Sequence, residues 1–192
     1  MASWQAWKKH LCAAALLGAV STQALAGVPV LSITATPSPA VQGSPLGVNV
    51  LISGIADLYA YQFTLSFNAA VLQATGVTEG PFLAAGGSTI AGVSGINNTL
   101  GSISFIYSSL IGAVPGVSGS GLLAHIDFNA TNVGTSALTF SDALFLNAAF
   151  ADITVQSVNG SVAVSAVPEP ASLLLLAAGL AGLATVRRRQ QA

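Results

Sequence analysis

Short runs of alternating apolar and polar residues, separated by turn-forming residues, occupy the chain from about residue 28 to residue 166. In the clearest run, Leu58–Phe67, the odd-numbered positions are all aromatic or leucine, and positions 62, 64 and 66 are polar. In a second run, Leu122–Ala130, the even-numbered positions from 122 to 128 are apolar. Successive side chains of a strand point to opposite faces of a sheet, so each run predicts a strand with one buried face. A buried face is also a commoner cause of the aromatic stripe than a platform for stacking sugars.

No stretch between residues 28 and 166 keeps the apolar period of a capped helix, so the sequence predicts an all-β domain. Two or more amphipathic strands indicate a sandwich of two sheets. Two proline-containing segments, Thr36–Pro39 and Val114–Gly116, are predicted loops, because proline donates no ladder hydrogen bond. The predicted strands are Val30–Ala35, Gly47–Ser53, Leu58–Phe67, Val71–Thr78, Ser88–Val93, Ser102–Ser109, Leu122–Ala130, Ser136–Phe140 and Gly160–Val164.

The first 26 residues have the pattern of a secretory signal peptide. Lys8 and Lys9 precede a short apolar run at 11–20, and Ala24 and Ala26 form a small-residue cleavage site. A run of this length is too short to span a bilayer, so we expect cleavage before Gly27. The chain's single cysteine lies within this segment, so the exported part is predicted to have no disulfide and no thiolate metal site.

Charge is distributed very unevenly along the chain. All five lysines and arginines lie at residues 8–9 and 187–189, outside the central domain. Residues 27–166 carry five carboxylates and no basic side chain, a formal net charge of −5 with His125 neutral. A domain without basic side chains cannot neutralise phosphates, so the sequence excludes nucleic acid as a partner and disfavours anionic membrane surfaces.

The C-terminal segment has the features of a membrane span. Residues 171–186 are uncharged, and as a helix they would extend about 24 Å, slightly less than the hydrocarbon core of a bilayer. The basic residues Arg187, Arg188 and Arg189 follow, and we expect them to stay cytoplasmic. Pro168 and Pro170 predict an extended tether before the helix. A simple tail anchor is the less favoured alternative for this segment.

Val167-Pro168-Glu169-Pro170, an apolar span and an arginine cluster follow one another in residues 167–189, and this order resembles a PEP-CTERM sorting signal. The resemblance implies recognition of Pro168, Glu169 and Pro170 by an exosortase, a membrane-embedded transpeptidase-like enzyme. It further implies transient anchoring in the inner membrane of a Gram-negative, biofilm-forming bacterium. The tail would then be removed, and the protein passed to the cell surface or the polysaccharide matrix. Residues 190–192 form a short end beyond the signal.

The central domain resembles a cohesin domain. The resemblance rests on "DLYAYQFTLSFNAAVLQATGVTEGPFL" at 57–83, "GLLAHIDFNATNVGTSALTF" at 121–140 and "NGSVAV" at 159–164. It implies a jelly-roll β-sandwich of about nine strands over residues 27–166, related to carbohydrate-binding modules. Cohesins dock the dockerin modules of cellulosomal enzymes. The chain has Asn68 where many relatives have aspartate, and the resemblance assigns no individual contact residues.

Candidate chemistry in the domain is sparse. His125, Asp127 and Asn129 alternate along one strand, so they share a face that could offer ligands to a metal ion. An ordinary solvated sheet face is the favoured interpretation, because no further ligands cluster with them. The sequence predicts no cofactor, and no residue cluster supports a calcium site. It predicts no enzyme either, because His125 is the domain's only histidine, no Gly-x-Ser-x-Gly motif occurs, and the five acids are scattered.

These observations predict an exported, non-enzymatic protein that works in adhesion or recognition at the cell surface or in the biofilm matrix. Its partner would be a surface or matrix protein, or alternatively a polysaccharide. A charge-poor domain suits uncharged contacts better than polyanions. Tyr107 is the residue to examine, because the sequence around it does not show whether its side chain faces the core or the solvent. Coplanar exposed aromatic rings would favour carbohydrate binding. Tyr107, His125, Asp127 and Asn129 are the candidate binding residues.

Overall fold

The computed structural model describes residues 27–167 and the single residues 179 and 187. Within these residues the chain forms ten strands and one short helix, which confirms the prediction of an all-β domain. No helix in this part of the chain is long and apolar enough to cross a bilayer. In chain order the elements are β1 (Val30–Thr36), β2 (Ala40–Val41), β3 (Pro45–Ser66), β4 (Leu72–Glu79), α1 (Pro81–Ala84), β5 (Thr89–Asn97), β6 (Ser102–Leu110), β7 (Val117–Ala130), β8 (Gly134–Asn147), β9 (Gln156–Ser157) and β10 (Gly160–Ser165).

The predicted signal peptide and C-terminal sorting segment lie almost entirely outside the described residues. The signal segment at 1–26, with Ala24 and Ala26, lies outside them. So do the motif residues 168–170, Arg188 and Arg189, and the apolar span 171–186 apart from residue 179. The cleavage sites and the predicted span therefore stay predictions.

The long strand β3 belongs to both sheets of the sandwich. Its first part pairs with β1 and β7, and its last part pairs with β6 and β8. Between the two parts, Gly54 and Asp57 have positive φ values of 68° and 56°, and the pairing with β7 shifts register twice. Extra residues of this kind bend a strand and increase its twist. The bend carries β3 from one sheet into the other.

Two sheets follow from these pairings. The first sheet has the order β4-β7-β3-β1-β9, and the second has the order β5-β6-β3-β8-β10-β2. All pairs are antiparallel except β1 with β9 and β10 with β2, which are parallel. The edges β4 and β5 therefore lie on the same side of the sandwich, a position that matters below.

The core lies between the sheets, where apolar side chains of both are buried. The odd-numbered residues from Tyr59 to Phe67 all point into it, as their alternation predicts. Phe63 of the second sheet and Phe128 of the first are fully buried. Each such side chain stabilises the fold by about 1.5–3 kcal/mol relative to exposure. The largest fully buried side chains are Phe63, Phe128, Phe145, Leu31, Ile52, Leu58, Leu65, Leu72, Leu83, Ile103, Ile106 and Leu123.

The structure differs from the predicted strands in several places: β5 ends at Asn97, β7 begins at Val117, and the two-residue strands β2 and β9 were not predicted. The predicted strands Gly47–Ser53 and Leu58–Phe67 are one continuous strand, and β8 extends past the predicted end at residue 140 to Asn147. The prediction that Leu122 faces the core is also wrong: Leu122 is only partly buried, and Leu123 is fully buried. Neighbouring residues of β3 pair with Leu122 and Ala124, so Leu123 is the extra residue of a bulge.

Candidate functional site

The outer face of the second sheet carries the most exposed apolar side chains of the sandwich's two sheet faces. In β3, Gln62 pairs with Tyr107 of β6 on one side and with Leu144 of β8 on the other, so these three residues form a row. In the next row, Ala60 lies between Ser109 and Leu146. Tyr107 and Leu144 are 38% and 37% exposed. We call this surface the apolar face; it consists of Ala60, Gln62, Ile90, Phe105, Tyr107, Leu144 and Leu146.

Tyr107 points outward, which settles the question that its sequence pattern leaves open. Its ring lies against Gly92 of the neighbouring strand β5, with which it pairs. A Cβ atom at Gly92 would lie only 2.9 Å from the Tyr107 hydroxyl oxygen, so a larger residue there would push the ring away. Glycine at position 92 therefore lets the ring lie close to the sheet with its other side exposed.

A shallow depression of about 180 Å³ lies in the middle of the apolar face. Leu144, Leu146 and the ring of Tyr107 surround it, together with Gln62. None of the residues that line it is charged. A surface of this kind contacts a ligand through apolar atoms and a few amide or hydroxyl groups rather than through ion pairs.

His125, Asp127 and Asn129 lie on the opposite surface of the molecule, the outer face of the first sheet. The imidazole Nδ1 of His125 is 2.6 Å from the amide Oδ1 of Asn49, and its Nε2 is 3.4 Å from Asp127 Oδ1. Asn129 follows one step along the row and pairs with Pro45. Within the described residues, no three histidine, cysteine or acidic side chains come together as a metal would require. The row is a hydrogen-bonded, solvated face.

Glu79 lies in the gap between the two sheets. Its Oε1 accepts a hydrogen bond of 2.6 Å from the Ser108 hydroxyl, and its Oε2 accepts one of 2.8 Å from the Thr89 hydroxyl. Ser108 and Thr89 belong to the second sheet and Glu79 to the first, so the carboxylate connects the two sheets. Asp127 is exposed on the outer face of the first sheet, on the other side from Glu79. The fold therefore keeps these two acids apart and does not form the carboxylate pair of a glycosidase.

Tyr61 makes a second polar connection between the sheets. Its hydroxyl donates a hydrogen bond of 2.6 Å to the backbone carbonyl of Leu123. Burial, and to a smaller extent the negative charge of Glu79, raises the pKa of the Tyr61 hydroxyl well above its ordinary value. The phenol therefore stays protonated and keeps its donor role.

The apolar face could be found only in part from the sequence. The sequence singles out Tyr107 as a candidate binding residue, but the alternation in "SISFIYSS" does not show which side chains face the core. Leu144 and Leu146 gave no signal, because the second half of β8 was not predicted as a strand. The Glu79 connection gave none either, because its hydrogen-bond partners are 10 and 29 residues away in the chain.

Comparison with known proteins places the domain and the tail in recognised groups. A family model described as a cohesin domain matches residues 30–164, and one described as a PEP-CTERM protein-sorting motif matches residues 166–189. No curated protein sequence matches the chain.

Solved structures of similar fold include a non-cellulosomal cohesin from the hyperthermophilic archaeon Archaeoglobus fulgidus. It is 21% identical, with a TM-score of 0.57 over 76% of this chain and 96% of its own. The sixth cohesin of scaffoldin B from Acetivibrio cellulolyticus, solved in complex with a dockerin, is 19% identical, with a TM-score of 0.60 over 72% and 100%. The cohesin of a type I cohesin–dockerin complex from Clostridium thermocellum is 11% identical, with a TM-score of 0.58 over 74% of this chain and 97% of its own.

Proposed function

The chain belongs to the cohesin family, and from this premise we propose that it is an exported, non-enzymatic surface protein that docks a partner protein through its apolar face. The tail carries a PEP-CTERM sorting motif, which implies export and sorting to the cell surface. The observation that carries the docking proposal is the uncharged depression bordered by Leu144, Leu146 and Tyr107. Exposed apolar surface on a stable sheet is typical of a site that another protein covers.

The chemistry of this face favours a partner with an apolar, hydroxyl-rich or amide-rich contact surface. Similar solved cohesins hold dockerins, so a dockerin-like module is the proposed partner of this chain. A genomic neighbour with duplicated calcium-binding loops would fit that role. The first sheet offers a poorer docking surface, because its outer face carries the hydrogen-bonded row of His125 and Asp127.

Three features support a non-enzymatic role. Glu79 and Asp127 lie on opposite sides of the first sheet. The imidazole of His125 contacts Asn49 and Asp127 rather than a nucleophile. The depression on the apolar face has no acid or base in its lining. General acid–base or nucleophilic catalysis requires such groups within hydrogen-bond reach of a substrate.

The tail fits processing by an exosortase-type enzyme. The last strand ends at Ser165, and Val167 is 60% exposed immediately before the Pro-Glu-Pro triplet. The triplet thus starts three residues beyond the folded body, where an enzyme can reach it. We propose residues 1–26 as a signal peptide, 27–166 as the docking domain and 167–189 as a transient inner-membrane sorting segment in a Gram-negative host.

The docking proposal is tested by a matched pair of substitutions. Leu144→Glu places a charge at the centre of the apolar face, and Leu100→Glu makes the same change on the exposed turn between β5 and β6. The full chain and both variants are purified in detergent and used to capture proteins from the secretome. The affinity of each variant is then measured for the proteins that the unsubstituted chain captures. We expect Leu144→Glu to weaken binding about 30-fold or more, because it disrupts an apolar contact centre. Leu100→Glu should bind like the parent.

The same capture experiment includes matrix polysaccharide, the alternative partner. One feature favours that alternative: the partly exposed Tyr107 pairs with Gln62, and both line the depression on the apolar face. Aromatic stacking with an adjacent amide is suited to neutral sugars. Polysaccharide retention that Tyr107→Ala abolishes and Leu144→Glu does not would replace protein docking with carbohydrate binding. Equal binding by the Leu144→Glu and Leu100→Glu variants would refute the apolar face as the docking site.

A further inference from the structure

A groove runs between the two sheets on the side where β4 and β5 form their edges. Its volume is about 210 Å³, several times the roughly 30 Å³ that a water molecule occupies in the liquid. Thr78 and Ala91 on its rim are exposed, so the groove opens to solvent. Its apolar lining residues include Val77, Ile106 and Ala124, and its polar lining residues are Thr78, Glu79 and two tyrosines.

The carboxylate of Glu79 has no cationic partner from its own domain. Residues 27–166 contain no lysine or arginine at all. The two hydroxyl groups that donate to Glu79 occupy only two of the roughly four lone-pair positions of a carboxylate. A partly buried negative charge beside apolar walls is stabilised strongly by a cation that replaces lost hydration.

Tyr61, whose side chain points between the sheets, adds a second attraction for a cation. Tyr61 and Tyr107 both contribute to the lining of the groove. The negatively charged face of an aromatic ring attracts ammonium groups, and apolar walls accept the carbon chain that carries them. The groove thus combines a carboxylate, a tyrosine and apolar walls, and none of the residues that line it is basic.

We propose that this groove binds a protonated primary amine, with the ammonium group on the Glu79 carboxylate and its carbon skeleton between Val77 and Ile106. Two sources have this chemistry: a lysine side chain and an amino sugar. Tyr107 lines both the groove and the depression on the apolar face. A lysine of a protein docked on that face would therefore lie near the groove.

The first test compares a cation with a neutral molecule of the same shape. NMR spectra of the full chain in detergent are recorded with n-butylammonium chloride and with n-butanol. We expect the amide signals of Ala91 and Gly92 to shift with butylammonium in a saturable way, with contacts between the probe and the Val77 methyl groups. Equal shifts with butanol, or no saturable shift with butylammonium, would overturn the proposal. This comparison needs no variant and does not depend on the docking partner.

The second test removes the charge. Glu79→Gln keeps the size of the side chain and an oxygen acceptor for Ser108, and Asp127→Asn makes the same change on the outer face of the first sheet. Loss of a charge-assisted hydrogen bond should weaken butylammonium binding about tenfold or more in Glu79→Gln. Asp127→Asn should bind like the parent. Thermal melting of both variants confirms that they are folded; undiminished binding by a folded Glu79→Gln would overturn the proposal.

The source of the amine is then distinguished with two further probes. Nα-acetyl-lysine methylamide represents the protein side chain, and glucosamine represents the sugar, with N-acetylglucosamine as its uncharged control. Saturable binding of the lysine probe alone assigns the groove to a protein partner, and binding of glucosamine but not N-acetylglucosamine assigns it to an amino sugar. Binding of neither probe would overturn the proposal even if the apolar face docks a protein.

Discussion

Asp57 is predicted to stabilise the bend of β3 by hydrogen bonds to two other segments of the chain, those around Gly116 and Ala148. Its Oδ1 accepts a hydrogen bond of 2.9 Å from the backbone N–H of Gly116, and its Oδ2 accepts one of 3.3 Å from the N–H of Ala148. Its own N–H donates to the Ser118 hydroxyl. The residue holds this position with φ of 56°, a left-handed conformation that costs an ordinary residue about 1–2 kcal/mol.

Three substitutions separate the hydrogen bonds from the backbone strain. Asp57→Ala removes both side-chain hydrogen bonds, and we expect it to lower the free energy of unfolding by about 2–3 kcal/mol, since one bond is short and the other is long. Asp57→Gly loses the same bonds but relieves the strain, so it should be more stable than the alanine variant by about 1 kcal/mol. Asp57→Asn tolerates the conformation and keeps one oxygen acceptor, so it should lose least.

The measurement is urea denaturation of the full chain at neutral pH, with the free energy of unfolding obtained by linear extrapolation. Asp152→Ala is the control, because it removes an exposed acid at the same end of the sandwich. An alanine variant within about 0.5 kcal/mol of the parent would show that the two hydrogen bonds do not stabilise the bend. A glycine variant less stable than the alanine variant would refute the argument from strain.

Three further outcomes follow from the structure. The raised pKa of Tyr61 keeps its phenol protonated in the folded state, whereas the unfolded chain loses that proton above about pH 10. The free energy of unfolding should therefore fall above about pH 10, by up to about 1.4 kcal/mol per pH unit. In alkaline denaturation, the Tyr61→Phe variant should not show this fall. Phe63→Ala should destabilise the domain by about 3–5 kcal/mol, measured by thermal or urea unfolding, whereas loss of less than half of this would show that the core repacks readily. Replacement of residues 168–170 by alanine should leave the protein in the inner membrane on cell fractionation, and unchanged release would contradict exosortase sorting.

The sequence predicts the buried face of a strand where one face of that strand contacts the core and the other contacts solvent. The alternation of Leu58–Phe67 predicted the inward side correctly, because a strand that lies in the middle of its sheet has one buried and one outer face. The sequence did not show that this strand continues from Gly47–Ser53. Gly54 and Asp57 are typical of turns, and only the pairing with β7 on both sides of them makes the bend part of a strand.

Register within β7 could not be predicted for a similar reason. Leu122 and Leu123 are adjacent and equally apolar, so the pattern cannot tell which one is the extra residue of a bulge. The neighbouring strand decides it, by pairing Leu51 with Leu122 and Val50 with Ala124. The apolar face was hidden likewise, because Leu144 becomes a surface residue only when β8 pairs with β3.

The antiparallel pairing of β10 with β8 has a mechanical consequence. A partner on the apolar face pulls on β6, β3 and β8, whereas the chain beyond Ser165 leaves from β10. Tension between the two is therefore carried in shear across the hydrogen bonds of residues 160–164 with residues 134–138. These bonds lie across the direction of the load, so they must rupture together rather than unzip singly. On its other edge β10 pairs with the parallel strand β2, which adds a second set of hydrogen bonds against the same load.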